Sequence, residues 1–112
     1  TVALPISATS PAISYNGDRV LYEIAVPWGP HNVLSDIMLA SLNTTGIAAQ
    51  DTLVRSNPEF WAHDPIFSPS GDRVAWFQYS SDNASVLHIC SLTGEEIISY
   101  PVPGYVTHPD WR

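Results

Sequence analysis

The chain has 112 residues, of which 45% are hydrophobic and 13% charged, a composition typical of one globular domain rather than of a disordered segment. Eleven acidic residues against four basic ones give a formal net charge of −7. That balance argues against nucleic acid and anionic membrane as partners, because both are bound by clustered Lys and Arg. No apolar run approaches the roughly 20 residues that span a bilayer. A single cysteine, Cys90, leaves no internal disulfide.

The first half of the chain predicts a series of short strands separated by turn and loop signals. A short apolar run at 2–6 contains Pro5, which suits an edge strand. The next strands are predicted at 10–15, 19–26, 36–42 and 52–54. Asn16-Gly17 and Thr45-Gly46 supply tight turns between them, whereas the Pro- and Gly-rich stretch 27–35 predicts a long loop.

The second half repeats this order of elements after a long connection at 56–63. Strands are predicted at 65–69, 73–79, 86–92 and 96–100, with tight turns at Ser70-Gly71 and Thr93-Gly94 and long loops at 80–85 and 101–107. Several of these strands carry apolar residues on both faces, which indicates a sheet that is covered on both sides. No helical period is present, so the sequence predicts an all-β protein.

The repetition extends to individual residues. Phe67, Gly71 and Arg73 lie 54 positions after Ile13, Gly17 and Arg19, and a third copy of the phrase begins at 108–111. Repeats of this length with four antiparallel strands each are typical of the blades of a β-propeller.

The repeated phrase also resembles that of a known family. Residues 65–76, with Pro65, Ser68-Pro69 and Gly71-Asp72, and residues 108–111 are similar to the repeat of TolB-type propellers. That repeat has Pro, an apolar position, Ser-Pro-Asp-Gly, a basic residue and an apolar strand. Similar blades form the gating propeller of prolyl-oligopeptidase-type serine peptidases. Asn16 and Ser70 stand where that family usually has Asp, and both still suit a turn.

The predicted fold is therefore a β-propeller fragment of two four-stranded antiparallel blades with a spare strand at each end. We expect residues 1–9 to complete a neighbouring blade, 10–56 and 63–101 to form the two blades, and 107–112 to begin the next one. Two blades cannot close a ring, so either the chain is a slice of a longer propeller or several copies assemble. We favour assembly. TolB-type propellers commonly have six blades, which implies a homotrimer.

The long loops are expected to share one rim, because turns alternate between the two ends of an antiparallel blade. That rim and the adjoining strand starts hold the candidate ligand-binding residues, which are aromatic, histidine or aspartate side chains: Trp28, His31, Trp61, His63, Asp64, Tyr105 and His108. Such side chains on loops are typical of binding surfaces. For Trp61 the favoured interpretation is that it fills a gap between blades, whereas for Trp28 and His31 the two interpretations are balanced. Asp64 and His108 each precede the repeat proline, where a hydrogen-bonding role at the strand start is favoured over a metal or catalytic role.

Catalytic motifs are mostly missing: the sequence contains no Gly-x-Ser-x-Gly elbow, no phosphate-binding glycine loop and no His-Glu-x-x-His. We therefore expect a non-catalytic scaffold without cofactor or metal, which binds a protein or carbohydrate ligand. The alternative is an enzyme-associated propeller, either the gating propeller of a serine peptidase or a metal-dependent, carbohydrate-acting propeller. The family resemblance favours a periplasmic or secreted location.

Overall fold

A computed structural model of the chain describes residues 8–28, 32–56, 61–79 and 84–103. These ranges form eight strands and no helix, so none of them contains a helix that could cross a membrane. The strands are β1 (Ala8–Ile13), β2 (Arg19–Trp28), β3 (Asn32–Asn43), β4 (Gly46–Val54), β5 (Trp61–Phe67), β6 (Arg73–Tyr79), β7 (Ala84–Ser91) and β8 (Glu96–Pro103).

The strands form two antiparallel sheets whose neighbours follow chain order. The first sheet has the order β1-β2-β3-β4 and the second the order β5-β6-β7-β8. This confirms the predicted fold class, two four-stranded antiparallel blades. Ala8 pairs with Ile24 and Thr9 with Glu23 inside the first sheet. The remainder of the spare strand predicted at 1–9, and the one predicted at 107–112, lie outside the described residues.

Several strands are longer than the sequence predicts. β2 continues to Trp28, which pairs with Asn32 at the start of β3, so most of the loop predicted at 27–35 is strand. β5 begins at Trp61 and includes His63, although both were expected in a long connection. Pro27 has no amide to donate to the ladder, and it still pairs with Val33 of β3.

The repeat of 54 residues is visible as a repeated irregularity in the ladders. The register between β1 and β2 shifts between Thr9 and Ala12, and the register between β5 and β6 shifts between His63 and Ile66. A shift of this kind is a β-bulge, which bends the strand and increases its twist. Both first strands are therefore bent at the same place.

The two turns of the repeated phrase have matching backbone geometry. Gly17 and Gly71 have φ values of 78° and 79°, a region that glycine enters without a Cβ penalty. Their amides donate to the carbonyls of Ser14 and Ser68 at 2.9 Å each. The conformation predicted from the two glycines is confirmed.

The main hydrophobic core joins the two sheets. Leu21 and Ile37 of the first sheet pack with Phe67, Val74 and Trp76 of the second. A second cluster around Val20, Tyr22 and Ala40 lies on the other face of the first sheet. The sheets are thus packed face to face, and the first sheet is apolar on both sides.

Serine hydroxyl groups fasten the start of β5 to the first sheet. Ser35 Oγ donates to the Ala62 carbonyl at 2.8 Å, and the Ala62 amide donates to Ser56 Oγ at 2.9 Å. The Ser56 amide donates to the buried Asp36 carboxylate at 2.9 Å. These bonds satisfy backbone groups at the crossing from one sheet to the next, and they fix where β5 begins.

Candidate functional site

A polar cluster lies where β5 meets the first sheet. It is formed by Glu23 of β2, His63 and Asp64 of β5 and Tyr79 of β6. His63 and Asp64 are half-buried and were expected in a binding surface, whereas the Glu23 side chain is only 5% exposed. The cluster is the place where the described part of the chain brings sequence-predicted site residues together.

The Glu23 carboxylate binds β5 at two points. Oε1 lies 2.7 Å from Nδ1 of His63, and Oε2 accepts the backbone N–H of Asp64 at 3.2 Å. A buried carboxylate needs such donors, because an unpaired charge in that position is costly. Glu23 therefore connects the first blade to the bulged segment of the second.

Asp64 has an unusual backbone. Its φ of 53° is the sole positive value among non-glycine residues in the described ranges, and Asp is one of the few residues that tolerate this region. The carboxylate accepts the hydroxyl of Tyr79 at 3.1 Å. The bulge at this point thus turns the Asp64 side chain towards β6, where it meets a phenol.

The ring of Tyr79 also stacks on His63. The centroids lie 4.9 Å apart with an interplanar angle of 26°, and Phe77 stacks on Tyr79 at 6.4 Å. These contacts fix the plane of the imidazole while a third of its side chain stays accessible. The arrangement can present two acceptors, an imidazole nitrogen and a carboxylate, beside an aromatic ring.

The other predicted site residues fall in different places. Trp61 is half-buried at the first position of β5 and pairs with Tyr79, so it adjoins the cluster. Trp28 ends β2, but its side chain lies outside the described residues. His31, Tyr105 and His108 also lie outside them, and their roles stay predictions.

Sequence reasoning missed Glu23 and Tyr79. Both stand in strands of alternating apolar residues, where a carboxylate or a phenol gives no motif. One signal was available in the sequence: Glu23 interrupts an apolar strand of a sheet that is predicted to be covered on both faces. A charged residue in such a strand requires a buried partner.

A second histidine is held in the interior of the second sheet. His88 stacks on Trp76 with centroids 4.2 Å apart; its Nε2 lies 2.8 Å from Gln78 Oε1, and its Nδ1 contacts the Glu96 carboxylate. Its side chain is 15% exposed. His88 is thus a packed strand histidine and is not placed in the binding site.

Within the described ranges, no three His, Cys, Asp or Glu side chains are grouped so that they could hold a metal ion. The cluster around His63 contributes hydrogen-bond donors and acceptors.

One solved structure to which the chain is similar is that of a peptidase. The chain resembles a puromycin-hydrolyzing peptidase of Mycobacterium tuberculosis with a TM-score of 0.55 and 18% sequence identity over 93% of this chain. The chain spans 18% of the length of that peptidase. No family model matches the sequence, and no curated protein matches it. The structural likeness, at this level of identity, shows the fold alone.

Proposed function

We propose that the chain is a non-catalytic binding scaffold built from two blades of a TolB-type propeller. Its ligand, a protein or a carbohydrate, binds on the rim and strand starts that carry Trp61, His63 and Asp64. The observation that carries the proposal is the cluster itself. Glu23 and Tyr79 hold His63 and Asp64 in fixed positions, while His63 keeps about a third of its side chain accessible.

The contacts of His63 support binding rather than catalysis. A general base needs a nucleophile within about 3 Å, and among the described residues the His63 imidazole contacts the Glu23 carboxylate and the Tyr79 ring. The sequence contributes no nucleophile motif to this position. A fixed imidazole beside a carboxylate and an aromatic ring instead offers directional hydrogen bonds and a stacking surface, which protein loops and sugars both use.

Assembly with further copies is the second part of the proposal. Two rows of apolar side chains cross the second sheet on one face: Phe77–Leu87–Tyr100 and Ala75–Ile89–Ile98. Their exposure rises outwards, from 5% at Phe77 and Ala75 to 49% at Tyr100 and 41% at Ile98. Exposed apolar rows of this kind favour a neighbour on that face.

The repeat suggests which face that neighbour presents. Val74 and Trp76 of the second sheet pack against the first sheet, and their counterparts 54 residues earlier are Val20 and Tyr22. These two lie on the far side of the first sheet, beside Met38 and Ile47. A second copy can therefore place its Val20 face on the Ala75 face of the first copy in a head-to-tail contact. Contacts of this kind form a ring when the rotation between copies closes.

One alternative has a specific observation in its favour. The structural likeness is to a segment of a much longer peptidase, so a gating propeller of a serine peptidase is the second candidate function. In that case, the neighbouring blades belong to the same polypeptide, and the binding rim faces a hydrolase domain.

The binding proposal is tested with glycan and peptide arrays. The chain is expected to give hits that Trp61→Ala and His63→Ala remove while Ser99→Ala, on the exposed part of β8, leaves them unchanged. Trp28→Ala, on the same predicted rim, should also abolish them. Hits that survive all three rim variants would contradict the proposed surface, as would the absence of any hit.

A further inference from the structure

The inference deepens the proposed binding role and rests on it: it concerns how Glu23 prepares His63 and Asp64. Glu23 belongs to the first blade, and its carboxylate contacts two consecutive residues of the second. The Asp64 amide lies inside the register shift between β5 and β6, where an extra residue is left out of the ladder. Glu23 Oε2 supplies an acceptor for that amide.

The same carboxylate determines which nitrogen of the His63 imidazole carries the proton. An ionised carboxylate accepts hydrogen bonds and cannot donate them. The contact of 2.7 Å between Glu23 Oε1 and His63 Nδ1 therefore requires the proton of the neutral ring to be on Nδ1. The lone pair is then on Nε2. The hydrogen bond at one ring nitrogen thus fixes the role of the other.

We infer that Glu23 is a positioning residue that holds His63 as the Nδ1–H tautomer and the β5 bulge in its left-handed conformation. It thereby makes His63 Nε2 and the Asp64 carboxylate a pair of acceptors for a cationic nitrogen ligand. Asp64 accepts one bond from Tyr79, and a carboxylate has about four acceptor positions.

The ligand class follows from these groups and from the charge of the chain. A guanidinium or ammonium group donates several hydrogen bonds and accepts none. Its positive charge complements the net charge of −7 of the chain. Within the proposed ligand classes, this selects a protein ligand that presents an Arg or Lys side chain, and it disfavours an anionic ligand.

The tautomer is measured by nitrogen-15 NMR of the full chain, with the four imidazoles assigned. In the native protein at a pH where His63 is neutral, Nδ1 should give the protonated signal and Nε2 the unprotonated one. Glu23→Gln retains one oxygen for two donors, so either the Asp64 amide or the His63 ring loses its acceptor. The variant should therefore either shift the ring towards the Nε2–H form that free histidine prefers or shift the signal of the Asp64 amide proton.

Glu96→Gln is the matched control, because Glu96 contacts Nδ1 of His88 in the same way without touching β5. It should leave His63 unchanged. A native His63 in the Nε2–H form, or a Glu23→Gln protein that keeps both the native tautomer and the native Asp64 amide signal, would overturn the inference.

Arginine amide is the probe for the ligand class, with acetate as the anionic comparison. Arginine amide should perturb the His63 and Asp64 signals, and Glu23→Gln should weaken its binding about tenfold, which corresponds to the loss of roughly one well-placed hydrogen bond. Preference for acetate would overturn the inference. A site that arginine amide leaves unperturbed, with the expected tautomer, would overturn the cationic ligand class while leaving the role of Glu23 supported; the proposed binding function itself is tested by the arrays.

Discussion

Ser68 is the most connected residue of the repeated turn. Its hydroxyl accepts the Arg73 amide at 3.1 Å and lies 3.2 Å from an Asp72 carboxylate oxygen, to which it donates. Ser14 makes the equivalent bonds to Arg19 and Asp18. Both serines are buried to 4% exposure or less. The turn is thus held by a serine hydroxyl, whereas the sequence drew attention to the glycine and aspartate.

Ser68→Ala is expected to destabilise the chain by about 1–2 kcal/mol, because it leaves the Arg73 amide and the Asp72 carboxylate without that partner. The free energy of unfolding in urea gives the measurement. Ser70→Ala is the control, since Ser70 is exposed and also bonds to Asp72. An equal loss in the two variants would argue against a special role for Ser68. The hydroxyls of Ser70 and Ser68 also lower the pKa of the Asp72 carboxyl.

Cys90 shows the effect of burial on a titratable group. Desolvation, supported by the negative charge of Glu96 and partly offset by a hydrogen bond from Trp76, raises the pKa of the Cys90 thiol to about 11. The ordinary value is about 8.5. With 2% exposure, Cys90 behaves as a buried small hydrophobic residue of β7.

The Cys90 thiol should therefore react slowly with iodoacetamide in the folded chain at pH 8, and rapidly in urea. Because the folded pKa is raised, its contribution to stability is complete below the unfolded pKa and is lost as pH rises towards about 11. Cys90→Ala should remove that part of the alkaline decline. A folded-state alkylation rate equal to the rate in urea would contradict this account.

At the scale of elements, β5 determines how the sheets meet. It begins at a serine-anchored crossing, carries the bulge that holds Asp64, and packs against the first sheet.

Strand order and turn positions could be predicted from the sequence, because Asn16-Gly17 and Ser70-Gly71 give local signals. The start of β5 at Trp61 could not, because it depends on Ser35 and Ser56, whose partners are distant in sequence. Glu23 escaped prediction for the same reason.

The turn between β7 and β8 approaches the first sheet most closely at Gly94. A Cβ added there would lie 2.9 Å from the Leu53 carbonyl oxygen, and the φ is +87°. Gly17 has a similar φ of +78° but open space around it. Substitutions at these two glycines therefore distinguish the cost of backbone strain, which both positions share, from the cost of a clash between the sheets, which arises only at Gly94.

Gly17→Ala should cost about 1 kcal/mol of stability from the left-handed backbone alone. Gly94→Ala should cost about 1–2 kcal/mol more, because the Leu53 carbonyl has to move away. Thermal and urea unfolding of both variants provide the comparison. Equal losses would show that the turn after β7 does not press on the first sheet.

At the scale of the whole molecule, two blades leave outer surface for neighbours. The large apolar side chains that are most exposed in the described ranges lie at the end of β1, in the turn that follows it and on β8: Ile13, Tyr15, Ile97, Ile98 and Tyr100. The central positions of both outward faces, Val20 and Phe77 among them, are already 5% exposed or less. A neighbour would therefore cover the outer parts of these faces, towards the open edges of β4 and β8.

The prolines of β8 limit how that edge is used. Pro101 and Pro103 cannot donate to a further strand, which discourages open-ended pairing along the edge. The proposed assembly therefore uses contact through the sheet faces, which forms a ring when the rotation between copies closes.

The mass of the chain in solution, measured by light scattering across a range of concentrations, tests this account most directly. A ring of three copies predicts a stable species of three times the 12.3 kDa chain mass, which Tyr100→Glu on the exposed row should dissociate. A well-folded species that stays at 12.3 kDa at every concentration would contradict assembly.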